Sequence, residues 1–171
     1  ADLVVNERGD AVPPDELYRV TRPCGGVLCS TDAGAKEQLA RCGAQAGELR
    51  TDGVMPLVVR GRLPGAGEWR YQWADPGRTG VGDEQNLRPP FEMLWFGGPG
   101  PDRMMSRHWG ASPPLSVNGR VFMTGEKTVI CFDAYTGREL WCQPLAGAGR
   151  KDVTDYSANI VADDDSVYVT V

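Results

Sequence analysis

The residues that could do chemistry in this chain are few and scattered. His108 is its one histidine, set between Arg107 and Trp109. An imidazole can carry a proton near neutral pH or bind a metal, but no second ligand stands at a metal-site spacing. The expected role is a loop residue bonded to backbone, with ligand or proton carrier as the functional alternative. The five cysteines, Cys24, Cys29, Cys42, Cys131 and Cys142, are an odd number and cannot all pair within one chain. Cys24 and Cys29 do not have zinc-ribbon spacing, and there is no Cys-x-x-Cys-His haem site. Ordinary buried or half-buried thiols are expected; Cys131 and Cys142 fall on adjacent predicted strands, where a cross-hairpin disulfide is the alternative. Asp163-Asp164-Asp165 lacks the alternation and closing Glu of a calcium loop and reads as a polar hairpin tip. Asp75, Asp83 and Glu84 are carboxylates that no pattern places at a cleft. The chain shows no Ser-His-Asp order, nucleophile elbow or phosphate loop. The expectation is no catalytic residue and no metal site.

Composition narrows the class. Of 171 residues, 41% are hydrophobic and 24% charged, the balance of a folded domain rather than a disordered one. Gly and Pro together supply 22 and 13 residues, which favours turns and short strands over long helices. The net charge is −5. Basic and acidic residues number 8 and 9 up to Pro64, and 10 and 14 beyond it. Neither part offers the basic face that a nucleic acid needs, so no nucleic-acid partner is expected. No apolar run approaches the ~18 residues of a membrane span, and no signal peptide stands at Ala1. The chain opens in mid-pattern, as a piece of a longer protein would.

The elements that must position these residues fall into three stretches. Residues 1–64 alternate strand and helix: a strand at 1–6, a helix begun by Pro13-Pro14 with Leu17 and Val20 on one face, a strand at 27–30, and a helix within 33–46 stopped at Gly43 or Gly47. Two strands, 48–54 and 57–63, split at Met55-Pro56, close an α/β pattern. Residues 65–114 hold nine Gly, seven Pro and four of the five Trp: Trp69, Trp73, Trp95 and Trp109. A flexible linker would be poor in large aromatics, so this stretch reads as an irregular but packed strap with one strand at 91–96. Residues 115–171 are β in pattern and carry an internal repeat. Leu115-Ser116-Val117-Asn118-Gly119-Arg120-Val121-Phe122-Met123-Thr124 matches Val161-Ala162-Asp163-Asp164-Asp165-Ser166-Val167-Tyr168-Val169-Thr170, and Val167 follows Val121 by 46 residues. That period fits one four-stranded propeller blade. Between the repeats, strands at 128–133 and 139–143 are joined by Ala134-Tyr135-Thr136-Gly137, a hairpin in which Asp133 precedes the turn and Gly137 supplies a positive φ.

Two resemblances follow from these motifs. Glu16-Leu17-x-Arg19-Val20-x-Arg22-Pro23-x-Gly25-Gly26 resembles the stretch of class I S-adenosylmethionine-dependent methyltransferases that joins the fourth and fifth strands, ahead of an antiparallel sixth–seventh hairpin. Cys24 departs from that family, which runs directly from Pro to Gly. The resemblance implies that residues 1–64 are the C-terminal part of a truncated Rossmann-like α/β domain. The Gly-rich loop and ribose-binding acid of that fold would precede Ala1, so the chain alone is not expected to bind S-adenosylmethionine.

Asp133, Thr136, Gly137, Leu140 and Trp141 match the repeat of pyrroloquinoline-quinone-like β-propellers. In that family the Trp wedges between blades, near the peptide plane of the next blade's Gly turn. The resemblance implies a structural role for these residues. Glu68-Trp69-Arg70-Tyr71-Gln72-Trp73-Ala74-Asp75-Pro76-Gly77, Leu94-Trp95-Phe96-Gly97-Gly98-Pro99-Gly100 and Arg107-His108 resemble the entry to such a propeller behind a methyltransferase-like domain in large planctomycete proteins, with Arg70-Tyr71 where that group has Thr-His. Together these imply a mixed α+β chain: an α/β segment, a Trp-rich strap, and about one and a half antiparallel propeller blades at 115–171. The expected function is a binding or scaffold module without catalysis of its own, with further blades or another protein chain as partner. An extracytoplasmic setting is favoured. The alternatives are a methyltransferase needing the missing N-terminal half, or a quinone-dependent dehydrogenase needing more blades and a metal-ligand set.

Overall fold

The computed structural model describes residues 1–53, 55–98, 100, 102–105, 112–148 and 159–171. The chain divides into two compact units, Ala1–Pro64 and Gly65–Val171.

In the first unit, β1 (Leu3–Asn6), α1 (Pro14–Val20), β2 (Val27–Ser30), α2 (Ala35–Ala40), β3 (Leu49–Asp52) and β4 (Met55–Val59) form one sheet of order β1-β2-β4-β3 with two helices. β1 and β2 are parallel, Leu3 opposite Val27, which requires the crossover that α1 provides. β4 enters antiparallel between β2 and β3. Leu17, Leu28, Leu39, Cys42 and Val58 make the buried core. α1 starts at Pro14, where a missing N–H costs nothing. Gly26 follows because a side chain there would put Cβ 2.3 Å from the Arg22 carbonyl oxygen.

Two boundaries differ from the sequence reading. α2 spans only Ala35–Ala40 rather than most of 33–46, since the chain turns left-handed at Gly43 (φ +81°). The break expected at Met55-Pro56 falls earlier, at Gly53 (φ +59°), and Pro56 sits inside β4. It lies past Leu57, the last residue of β4 paired with β2, so the proline withholds no donor from that neighbour.

In the second unit, β5 (Leu115–Val117), β6 (Arg120–Gly125), β7 (Thr128–Asp133) and β8 (Glu139–Pro144) make a four-stranded antiparallel meander in sequence order. β9 (Ile160–Ala162) and β10 (Val167–Val169) form a separate antiparallel hairpin. Register places Leu115, Phe122, Cys131 and Trp141 in one row across the meander. The first three of that row, with Val117, Ile160 and Ala162, form a buried core on which Trp69, Val167 and Val169 pack. Burying a side chain such as Phe122 stabilises the fold by roughly 1.5–3 kcal/mol. The two hairpins are therefore held together through the faces that the 46-residue repeat makes alike.

The strap behaves differently along its length. Trp69 exchanges two backbone hydrogen bonds with Ser116 of β5, at 2.8 and 2.9 Å, while the Arg70 carbonyl accepts from Ala162 N–H of β9 at 3.1 Å. Residues 69 and 70 thus tie the meander to the second hairpin. Residues 65–68 and 83–86 close a loop, Gln85 N–H donating to the Gly65 carbonyl at 2.9 Å and Gly67 N–H to Glu84 at 2.9 Å. The stretch beyond it is not packed as expected: Val81, Leu87, Phe91, Met93, Leu94 and Phe96 are largely exposed. Residues 91–96 form no strand, because a strand exists only against a partner and no neighbouring backbone pairs with them among the described residues.

Candidate functional site

The turn from Asp133 to Trp141 is built around one buried carboxylate. Asp133 closes β7 and is 1% exposed. Its Oδ1 accepts from the N–H groups of Tyr135 and Thr136, both at 2.9 Å. Its carbonyl accepts from Gly137 N–H and its N–H donates to the Arg138 carbonyl, also both at 2.9 Å. Thr136 Oγ1 accepts from Arg138 N–H at 3.4 Å. Gly137 takes φ +69°, which costs other residues roughly 1–2 kcal/mol. Each residue singled out in this motif thus has a definite structural task in the loop.

The docking partner of this turn is Trp95. A Cβ on Gly137 would lie 2.4 Å from Cε3 and 2.5 Å from Cδ2 of the Trp95 indole, so the ring rests directly on the glycine. Trp95 Nε1 donates to the Ala134 carbonyl at 2.9 Å. The ring's apolar face and its one polar atom are both used by the same turn. Trp141, the tryptophan of the motif itself, is held otherwise. Its ring centroid lies 6.0 Å from that of Phe122, and it is 38% exposed. With Val129, Gln143, Leu145, Val167 and Val169 it lines a groove of about 370 Å³. Leu140 is likewise 39% exposed.

The sequence held a signal for Trp95 that periodicity alone did not exploit. Trp141 follows Trp95 by 46 residues, and each is preceded by a leucine, Leu94 and Leu140. Trp95 therefore stands one repeat before Trp141 and docks on the turn of the following blade.

The other sequence candidates have structural partners. Asp163 Oδ1 accepts from Asp165 and Ser166 N–H at 2.9 and 2.7 Å, and its carboxyl is held below the usual range by those bonds and by the Tyr168 hydroxyl. Asp164 pairs with Arg70 at 2.6 Å. The Asp triplet is thus the tip of the β9–β10 hairpin. Asp75 accepts from Thr79, Asp83 from Glu68 N–H and Glu84 from Gly67 N–H. All five cysteines are free thiols. Cys131 faces Trp141 and Cys142 faces Ile130 across the β7–β8 ladder, and burial pushes the Cys131 thiol up to about 11. His108, with Arg107 and Trp109, lies outside the described residues. Among the described residues no three His, Cys, Asp or Glu side chains group as a metal site would.

In the first unit, a polar cluster sits past the carboxyl ends of the parallel pair. Gln38 Oε1 accepts from Asn6 Nδ2 at 2.8 Å and from Ser30 Oγ at 2.9 Å, all three residues being buried. Gln38 Nε2 donates to the Gly9 carbonyl and to Asp10, and Arg41 pairs with Asp10 at 3.0 Å. An open pocket of about 480 Å³ lies over this cluster, rimmed by Asp10, Asp32, Glu37 and Arg41. In open α/β sheets the carboxyl ends of the strands are where ligands bind. Elsewhere in this unit, Glu48 Oε2 accepts from Tyr18 Oη and Gln45 N–H, both at 2.8 Å, and Oε1 accepts from Gly61 N–H at 2.6 Å. Burial opposes its charge, but those bonds and the Arg60 cation outweigh it and hold the carboxyl below the usual range.

The methyltransferase-like motif is also structural where it is described. Glu16 pairs with Arg19 at 2.6 Å, Leu17 enters the core, and Arg22 binds Asp2 at 2.6 Å. Cys24 takes φ +57°, and the N–H groups of Cys24 and Gly25 donate to the carbonyls of Gly61 and Arg60.

Among the described residues, no helix is long and apolar enough to cross a membrane. No curated protein and no solved structure matches the chain. A family model described as outer membrane protein assembly factor BamB, of the PQQ-repeat type, matches residues 61–170. The match takes in the strap as well as the strands, so Trp69 and Trp95 fall within the same module as the turn on which Trp95 rests. By a motif, a repeat and a match that agree over most of its length, the chain belongs to the PQQ-repeat β-propeller family.

Proposed function

We propose that this chain is part of a binding or scaffold module, in which blades locked by tryptophan docking present a rigid surface to another protein. The observation that carries this reading is the seat of Trp95 on the Gly137 turn. The motif residues are used for blade-to-blade packing and leave no side chain of that set free to act on a substrate. The printed description of the matching family names an assembly factor of the outer membrane. It favours protein assembly in an extracytoplasmic setting as this chain's task. Neither a quinone nor a metal has a part in this reading.

The reading is tested by reconstitution with pyrroloquinoline quinone and calcium, followed by a dye-reduction assay, alongside crosslinking in extract from the source cells. It predicts no dye reduction and a discrete crosslinked partner that is lost on Trp95→Ala. Quinone-dependent turnover would overturn it.

A second reading concerns residues 1–64 alone. The parallel β1–α1–β2 unit, the antiparallel closing strands and the pocket over Asn6, Ser30 and Gln38 favour a methyltransferase-like α/β half-domain, fused ahead of the propeller as in the planctomycete proteins it resembles. These residues contain no G-x-G-x-x-G loop to approach a cofactor closely. Calorimetry with S-adenosylmethionine should therefore give no heat of binding to this chain. Micromolar binding would show that the half-domain holds the cofactor by itself.

A further inference from the structure

We infer that residues 91–96 are the outermost strand of a propeller blade whose three inner strands are supplied by a later repeat of the same polypeptide. The segment then closes the ring. This rests on the propeller reading above and adds to it the place where the ring joins.

The first support is equivalence. Leu94 and Trp95 stand one 46-residue period before Leu140 and Trp141, and β8, which holds that second pair, is the outer strand of its blade. The second is position. Trp95 already sits where the tryptophan of a preceding blade belongs, its indole on Gly137 and its Nε1 on the Ala134 carbonyl. The third is what surrounds it. Phe91, Met93, Leu94 and Phe96 are between 69% and 92% exposed, and no strand pairs with them among the described residues. A run of large apolar side chains with unpaired backbone is a strand edge awaiting a neighbour.

The neighbour's type follows from β8. That strand pairs antiparallel with β7, Trp141 opposite Cys131 and Cys142 opposite Ile130. Residues 91–96 therefore call for a β7-type strand, apolar and β-branched, ending in Asp. β7 itself is filled on both edges by β6 and β8. A second copy of the chain does not meet the need. β9 and β10 correspond by the same period to β5 and β6, so the free edge of β10 also calls for a β7-type strand, and an outer strand set there would skip a position. Growth past β10 instead continues along the groove lined by Trp141, Val167 and Val169. A ring extended in that direction returns to residues 91–96 from the other side.

The test uses the polypeptide as its gene encodes it, with Phe96 replaced by the photo-crosslinker p-benzoylphenylalanine. Irradiation at low concentration should give a monomeric product in which position 96 is joined to a β7-type strand beyond Val171. Amide exchange at 91–96 should also be slower than in the 171-residue chain by on the order of a thousandfold. A crosslink to a second copy, a crosslink within residues 1–171, no crosslink, or a gene product with no repeat beyond Val171 would each overturn the inference. Exchange at β5–β8, read in the same experiment, separates the two levels: slow exchange there with fast exchange at 91–96 refutes ring closure alone, and fast exchange in both refutes the propeller reading as well.

Discussion

Adding one methyl group at Gly137 should expose the docking of Trp95 quantitatively. Two costs arise in Gly137→Ala. The backbone stays at φ +69°, which an alanine tolerates at a cost of roughly 1–2 kcal/mol. The new Cβ would also lie 2.4 Å from Trp95 Cε3, so the indole must shift, and such overpacking costs typically about 1–3 kcal/mol. A shift of the ring also lengthens its 2.9 Å hydrogen bond to the Ala134 carbonyl, a bond worth on the order of 1 kcal/mol. Trp95→Ala removes the second cost and leaves the first. A double-mutant cycle by urea denaturation should therefore show Gly137→Ala costing roughly 2–5 kcal/mol in the native background and only about 1–2 kcal/mol beside Trp95→Ala. The reasoning is refuted if the two costs agree within about 0.5 kcal/mol, the scatter of independent sites.

Three further outcomes are expected. Asp133→Ala leaves the N–H groups of Tyr135 and Thr136 without the Oδ1 they share, and should cost roughly 1–3 kcal/mol of stability by denaturant titration, while Asp133→Asn, which keeps an acceptor oxygen, should cost less. Gly26→Ala drives a Cβ to 2.3 Å from the Arg22 carbonyl oxygen; because backbone cannot yield as a side chain does, core resonances of Leu28 and Val58 should shift or broaden in NMR spectra. Glu48 has a folded pKa below its unfolded value, so its contribution is present above the unfolded value of about 4.3 and is lost as pH falls through the lower folded value. The stability gap between the native chain and Glu48→Gln, followed by denaturation from pH 7 downward, should hold to about pH 5 and then close.

Local chemistry explains which parts could be read in the sequence. The β7–β8 hairpin was legible because Asp133, Thr136 and Gly137 bond to groups within five residues of one another, so their types announce the turn. The β5–β6 and β9–β10 hairpins were legible because alternation and a polar tip recur at a fixed period. Residues 91–96 have the composition of a strand, yet a strand is a relation between two segments, and its neighbour is not among the described residues. Pro56 looked like a break because its own chemistry is that of a breaker; only the register of β4 against β2 shows that its missing N–H falls where nothing needs it. Trp95 and Gly137 meet across 42 residues of chain, so no local pattern joins them. The 46-residue interval to Trp141 was the one signal that could have done so. The cluster of Asn6, Ser30 and Gln38 gave no signal, since three uncharged polar residues on separate elements become a site only when the sheet brings them together.

Trp95 on Gly137 is the contact from which the blade arrangement is argued, and NMR observes it directly. An indole ring resting on a glycine shifts the glycine Hα resonances upfield and gives cross-relaxation from Trp95 Hε3 to Gly137 Hα. Both signals should be present in the native chain, and the upfield shift should vanish in Trp95→Ala. Gly137 Hα resonances at ordinary turn positions, without cross-peaks to the Trp95 ring, would contradict the docked tryptophan and the propeller architecture argued from it.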